Sequence, residues 1–156
     1  MIVYLDLENT VIDNLTDRNW LEDNCEKIKH FLKTKENGHN AIIIYTFGWK
    51  TRKEIDEEFV KKVHEKLGMD YMWTPIVKED AINACIKRNK IPETEKEIAL
   101  QPGMMVSKYG IDKTQAFHYL TKELREHGER CALIDDTTET NYEDFVNAYT
   151  INPTDL

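Results

Sequence analysis

Short apolar runs alternate with longer amphipathic segments along this chain. The clearest runs are continuously apolar, rich in β-branched residues and end at a polar residue, which is typical of strands buried in a parallel sheet. We predict strands at residues 2–5, 41–45, 71–77 and 131–134, with a last strand at 148–151. Pro75 lies within the third of these and places it at or near a sheet edge, because proline cannot donate to a strand ladder.

The segments between the runs carry apolar residues at helical spacing. We predict four helices, from Thr16 or Asp17 to Gly38, between Gly48 and Gly68, at residues 79–89, and from Asp112 to Gly128. The last of them opens on a capping-box pattern, Asp112 followed by Gln115. Strands that alternate with helices predict an α/β fold, a three-layer Rossmann-like parallel sheet with helices on both faces.

The length of 156 residues suits one core, so we predict a single domain over residues 1–156. Residues 91–105 hold two prolines and a glycine without a clear period. We therefore interpret residues 78–111 as an insertion or lid segment within that domain.

The net charge and the spacing of the cysteines limit which ligands and which cellular compartment we expect for this protein. A net charge of −8 gives no electrostatic support for binding extended duplex nucleic acid, although a local positive site would still admit a small anion. Three widely spaced cysteines without a CxxC pair fit a reducing compartment. The chain shows neither a signal-peptide pattern nor an apolar run of roughly 18 residues. We expect a cytoplasmic protein that does not enter the membrane.

Polar residues follow three of the predicted strands at once. Asp6, Thr46 and the pair Asp135 and Asp136 each come directly after an apolar run. Because ligands bind beyond the carboxyl ends of parallel strands, these side chains are expected to share one rim. A single aspartate after a strand is commonly a turn residue, but several together favour a site.

Four segments resemble the motifs of the haloacid dehalogenase (HAD) superfamily, in order and over nearly the whole chain. YLDLENTVID resembles the first motif and IIIYTFG the second; Lys113 stands where the third-motif lysine belongs, and ALIDD resembles the fourth. The resemblance implies a Mg²⁺-dependent phosphohydrolase with a small or absent cap. Its substrate would be a small phosphorylated molecule, a nucleotide or the end of a nucleic acid strand among the candidates.

The resemblance also assigns roles that agree with phosphoryl-transfer chemistry. Asp6 would attack phosphorus and form an aspartyl-phosphate, and a divalent cation must screen the repulsion between the two anions. We assign Asp6, Asp136 and Asp135 to the Mg²⁺ site, with Asp136 as the ligand and Asp135 orienting Lys113 or a bound water; the reverse assignment of that pair stays open. Thr46 and Lys113 would bind the phosphoryl oxygens.

Glu8 is the expected acid/base, two residues after the nucleophile. The family usually has aspartate there, and one extra methylene displaces the carboxylate by roughly a bond length, enough to cost about 100-fold in rate. This departure motivates a second hypothesis, a HAD-like binding or regulatory protein with little turnover. A third is a PIN- or NYN-like metal-dependent nuclease, which also gathers acids at a sheet rim and can begin with a segment similar to DLEN.

Overall fold

The computed structural model describes residues 1–34, 40–145 and 147–156, with the backbone alone at residues 142–145. The strands are β1 (Ile2–Leu5), β2 (Ala41–Tyr45), β3 (Trp73–Ile76), β4 (Cys131–Ile134), β5 (Asn141–Phe145) and β6 (Ala148–Ile151). The helices are α1 (Glu22–Lys33), α2 (Glu57–Leu67), α3 (Lys78–Lys87), α4 (Lys96–Leu100), α5 (Met104–Tyr109) and α6 (Lys113–Glu126).

One sheet with the strand order β3-β2-β1-β4-β6-β5 forms the middle layer. Its first five strands are parallel, and β5 runs antiparallel to β6 at one edge. The predicted Rossmann-like parallel sheet is therefore confirmed, and β3, the strand with Pro75, lies at the other edge as expected. The sequence prediction missed β5.

The alternation of strand residues builds a core on each face of the sheet. Val3 and Leu5 pack with the apolar residues of α1 and α2. Ile2 and Tyr4 pack with α3 to α6 on the other face. Residues 78–111, interpreted from sequence as an insertion or lid, form three helices that contribute buried residues such as Ile82, Ala99 and Met105 to this second core.

Helix α1 starts later than the sequence pattern predicts. It begins at Glu22, not at Thr16 or Asp17, and its predicted end at Gly38 lies outside the described residues. The Asn14 side-chain oxygen accepts hydrogen bonds from the Thr16 and Asp17 N–H groups, and Arg18 has a φ of 55°. These local bonds compete with a helical turn, which is why the helical spacing fails there.

No helix in the described ranges has both the length and the apolar character needed to cross a membrane.

Candidate functional site

Three aspartates meet where β1 and β4 end. Carboxylate oxygens of Asp6, Asp135 and Asp136 lie within 4.8 Å of one another. The Asp6 N–H bonds to the Ile134 carbonyl at 3.0 Å, and the Asp135 N–H bonds to the Ile151 carbonyl at 3.1 Å. The sheet ladder thus continues one residue beyond each strand and fixes the backbone from which these side chains project.

Lys113 joins the aspartates from the first residue of α6. Its Nζ donates a hydrogen bond of 2.5 Å to Asp6 Oδ1 and lies 2.9 Å from Asp135 Oδ2. The predicted capping box of Asp112 and Gln115 is present at the start of this helix. The Tyr45 hydroxyl donates to the Lys113 carbonyl at 3.1 Å, so the lysine backbone is held from the sheet as well.

The side chain of Lys113 also lies against aromatic rings. Its Nζ is 5.1 Å from the centroid of the Tyr45 ring and 5.9 Å from that of Phe47. A cation over aromatic faces is stabilised by the ring quadrupole. A lysine in the first turn is disfavoured by the helix dipole, and the neighbouring carboxylates offset that cost.

The cluster carries more negative charge than its lysine neutralises. Burial, opposed by Lys113 and reinforced by Asp135, raises the pKa of Asp6 to about 6. Burial and the neighbouring Asp135 also raise the pKa of Asp136. For Asp135, burial is outweighed by Lys113 and the Thr137 N–H, which hold its pKa below the ordinary value.

A divalent cation fits this set of donors. Asp135 is 1% exposed, and the one partner of its Oδ2 among the described residues is the Lys113 ammonium, 2.9 Å away, which also contacts Asp6. Three ionised carboxylates and one ammonium would leave two negative charges uncompensated, which a divalent cation balances. Oxygen-only donors in a small cluster are the kind that Mg²⁺ binds.

Thr10 connects the loops that carry the aspartates. Its hydroxyl donates to Asp6 Oδ2 at 2.9 Å and accepts the Asp136 N–H at 3.1 Å. It is fully buried, and its own N–H bonds to the Leu7 carbonyl. From the sequence, Thr10 was expected to fix this loop through backbone hydrogen bonds; the bonds of its hydroxyl with Asp6 and Asp136 were not predicted.

The side chains of Glu8 and Thr46 both lie close to Gly48 in the fold. The Glu8 Oε2 accepts the Leu15 N–H at 3.3 Å. A Cβ at position 48 would overlap the end of the Leu15 side chain and lie 2.9 Å from Glu8 Oε1 and 3.3 Å from Thr46 Oγ1, so these side chains keep their positions because residue 48 is a glycine. Sequence reasoning missed this requirement, because a glycine after a strand also fits an ordinary turn.

Thr46 is buried directly after β2. Its Oγ1 accepts the Gly48 N–H at 3.1 Å, and its own N–H bonds to the Ile76 carbonyl. Within the described part of the chain, no hydrogen bond or ion pair links Glu8 or Thr46 to the aspartates. The fold therefore gathers Asp6, Asp135, Asp136 and Lys113 into one cluster, while Glu8 and Thr46 both lie close to Gly48.

Comparisons with protein-family models, with curated proteins and with solved structures found no match for this chain. Fold and site together define an α/β protein with a lysine-paired carboxylate cluster at the carboxyl ends of parallel strands.

Proposed function

We propose that this protein is a HAD-like phosphatase that hydrolyses phosphomonoesters with Mg²⁺ through an aspartyl-phosphate on Asp6. The observation that carries the proposal is the single ammonium of Lys113 in contact with both Asp6 and Asp135, with Asp136 beside them. A phosphoryl group needs positive charge around its oxygens and a nucleophile at hand, and this cluster supplies a carboxylate with an adjacent cation. The motif resemblance supports the same assignment.

Asp6 and Asp136, together with Asp135, would hold the Mg²⁺. When bound, the ion supplies charge screening for the phosphoryl oxygens. Lys113 would bind a phosphoryl oxygen while Asp135 holds its ammonium in place. The Thr46 hydroxyl accepts the Gly48 N–H and would donate its own proton to another phosphoryl oxygen.

The reaction would proceed in two displacements at phosphorus. A carboxylate oxygen of Asp6 forms a bond to phosphorus while the bond to the leaving-group oxygen breaks, and Glu8 gives that oxygen its proton. In the second step Glu8 takes a proton from water, whose oxygen bonds to phosphorus, and the bond to Asp6 breaks. Inorganic phosphate leaves, and both carboxylates return to their starting state.

The substrate we propose is small and carries few phosphates. A chain with a net charge of −8 repels a long polyanion, so nucleotides, sugar phosphates or a phosphorylated strand end fit better than duplex nucleic acid. We prefer the phosphatase to the PIN- or NYN-like nuclease because Lys113 contacts the proposed nucleophile. A nuclease site needs carboxylates to hold metal and water, and gives no covalent adduct.

The test is a screen of phosphomonoesters with Mg²⁺ in which Asp6→Asn is compared with Asp70→Asn. Asp70 is exposed, so the second variant makes the same chemical change away from the site. We expect hydrolysis by the unchanged protein and by Asp70→Asn, and none by Asp6→Asn. Trapping of phosphate on the chain by acid quench and mass spectrometry should succeed only where Asp6 is present. Full activity in Asp6→Asn would refute the nucleophile.

The fixed position of Glu8 favours one second candidate, a HAD-like binding protein with little turnover. Its carboxylate is held by the Leu15 N–H, and it is one methylene longer than the aspartate the motif usually has. In that case the protein binds Mg²⁺ and a phosphate analogue such as vanadate without hydrolysing any phosphomonoester tested. Gain of turnover in Glu8→Asp would then support this candidate, whereas loss of existing turnover in Glu8→Asp supports the phosphatase.

A further inference from the structure

A cavity lies between the residues that follow α3 and one side of α6. Its volume is about 530 Å³. Arg88 and Lys90 line one wall, and α6 residues between His118 and Glu126 line the other. Because a helix rises 1.5 Å per residue, the lining residues of α6 lie roughly 8 to 20 Å along the helix from Lys113. The carboxylate cluster supplies none of the described lining residues, so the cavity is a separate site.

The charge of this cavity is opposite to that of the protein. Four cationic side chains line it, Arg88, Lys90, Lys122 and Arg125, and Glu126 is the one acid among its described lining residues. The chain as a whole carries a net charge of −8. Cations gathered in a concave site raise the local concentration of anions, and they do so most where the walls exclude water.

The Arg125 side chain is held in place by hydrogen bonds within α6. It is only 8% exposed, and its Nε donates to Thr121 Oγ1 while Nη2 donates to the His118 carbonyl, both at 2.9 Å. The Asn147 side chain donates in turn to the Arg125 carbonyl at 3.2 Å. A guanidinium held in place by its own helix puts a fixed positive charge beside the cavity, and an anion that binds there need not order this side chain first.

The remaining wall is aromatic. His118 and Tyr119 line the cavity, and the Lys90 Nζ lies 5.7 Å from the Tyr119 ring centroid. Burial, followed by the nearby Arg125 charge, lowers the pKa of His118. Aromatic faces beside cations suit a ligand that has both a planar ring and charged oxygens.

Two of the cations that line the cavity, Arg88 and Lys122, form only long ion pairs with acidic side chains. Arg88 lies 3.6 Å from Glu123, and Lys122 lies 4.0 Å from Glu126. Ion pairs at a surface contribute little to stability, so both cations can exchange these partners for a ligand. The negative ends of the α3 and α6 dipoles oppose an anion here, but their effect is that of about half a charge each against four full cations.

We propose that this cavity binds a small phosphorylated molecule, with its phosphate on Lys90 and Lys122, next to the fixed charge of Arg125, and any ring against Tyr119. A volume of about 530 Å³ is within the usual range of ligand sites, roughly 300–1,000 Å³. The site is independent of hydrolysis at Asp6. It requires neither Mg²⁺ nor the carboxylate cluster.

The test measures binding of ADP and of pyrophosphate by calorimetry, in metal-free buffer and in the Asp6→Asn background to prevent turnover. The cavity variant is the double change Lys90→Glu and Lys122→Glu. Its control is Lys61→Glu and Lys62→Glu, two exposed lysines of α2 that give the same change in net charge. All four lysines are exposed, and circular dichroism with thermal melting checks that both proteins fold.

We expect the cavity variant to bind both probes at least about tenfold more weakly, and the control to change by less than about twofold. Tighter binding of ADP than of pyrophosphate identifies a nucleotide-like ligand, and equal binding identifies the phosphate alone. Equal weakening in both double variants overturns the proposal, since it reflects net charge only. Binding that is abolished by Lys113→Ala but unchanged in the cavity variant overturns it too, as does no binding at millimolar probe.

Discussion

Lys113 and Asp6, separated by 107 positions in sequence, form a hydrogen-bonded ion pair of 2.5 Å at the rim of the sheet. The pair is largely shielded from solvent, with side chains 16% and 9% exposed. Asp135 shares the same ammonium. Removal of the lysine therefore leaves two buried carboxylates without their cation.

We expect Lys113→Met to destabilise the metal-free protein at pH 7 by about 3 kcal/mol, because breaking a buried pair leaves uncompensated charge. Urea unfolding measures this loss, and Lys62→Met on an exposed helix face is the control with little expected change. Turnover should fall by about 100-fold or more, as for loss of a donor to the transition state. A variant as stable as the parent would contradict the charge argument.

Asp6→Asn should stabilise the metal-free protein at neutral pH. The pKa of Asp6 is about 6 in the folded state against an ordinary 3.8, so the folded chain holds this proton more tightly than the unfolded chain does. The stability this provides is complete below pH 4 and is lost as the pH rises through 6. A pKa difference of about two between the folded and unfolded chain corresponds to roughly 3 kcal/mol of folding stability at high pH. The asparagine variant cannot ionise and therefore does not lose this stability.

Thermal melting of Asp6→Asn and of the parent from pH 4 to pH 7.5 measures the difference. It should be largest at the upper end and should shrink toward pH 4. Added Mg²⁺ should raise the melting temperature of the parent more than that of the variant, because the variant lacks a ligand. If the difference in melting temperature between variant and parent does not change with pH, the effect comes from packing and not from ionisation of Asp6.

Thr10→Val keeps the shape of the side chain but removes the hydroxyl. Asp6 Oδ2 then loses a donor and the Asp136 N–H loses an acceptor, each a cost of about 1–3 kcal/mol for a buried group. We expect a loss of about 2–3 kcal/mol in urea unfolding and weaker Mg²⁺ binding by about 10-fold or more. Thr10→Ser keeps both bonds and should recover most of the Mg²⁺ affinity.

Gly48→Ala should reduce turnover more than stability. The new Cβ would contact the flexible ends of Leu15 and Glu8, which can move aside at a cost of about 1 kcal/mol. The Glu8 carboxylate is displaced in the process, and displacement on the order of 1 Å can cost about 100-fold in rate. Parallel measurement of kcat and of melting temperature separates the two effects. Unchanged kcat would remove Glu8 from the proposed chemistry.

The sequence predicted those parts of the site that depend on where strands end. Asp6, Thr46 and Asp135 each follow a continuous apolar run, and parallel pairing necessarily brings the ends of such runs to one edge. The capping box predicted that a helix starts at Lys113, whereas its role in the site came from the motif resemblance. The end of an apolar run and the start of a helix are both visible in a short stretch of sequence, and they place the side chains that follow them.

The loop after β1 was not predictable in the same way. Asn14 forms side-chain bonds that stop a helix from starting at Thr16, and Arg18 adopts a positive φ that residue patterns do not indicate. The space that Gly48 leaves for Glu8 depends on atoms distant in sequence. Such features arise from tertiary contacts, which hydrophobic periodicity does not encode.

The Thr10 hydroxyl joins the first strand's loop to Asp136, 126 residues later. During synthesis the chain emerges with Asp6 and Thr10 first and Lys113 later, and Asp135 and Asp136 join them only when β4 has been made and has paired with β1. Contacts of such long sequence separation form late and slowly. The carboxylate cluster is thus assembled only once folding is nearly complete, and a truncated chain that ends before β4 cannot form it.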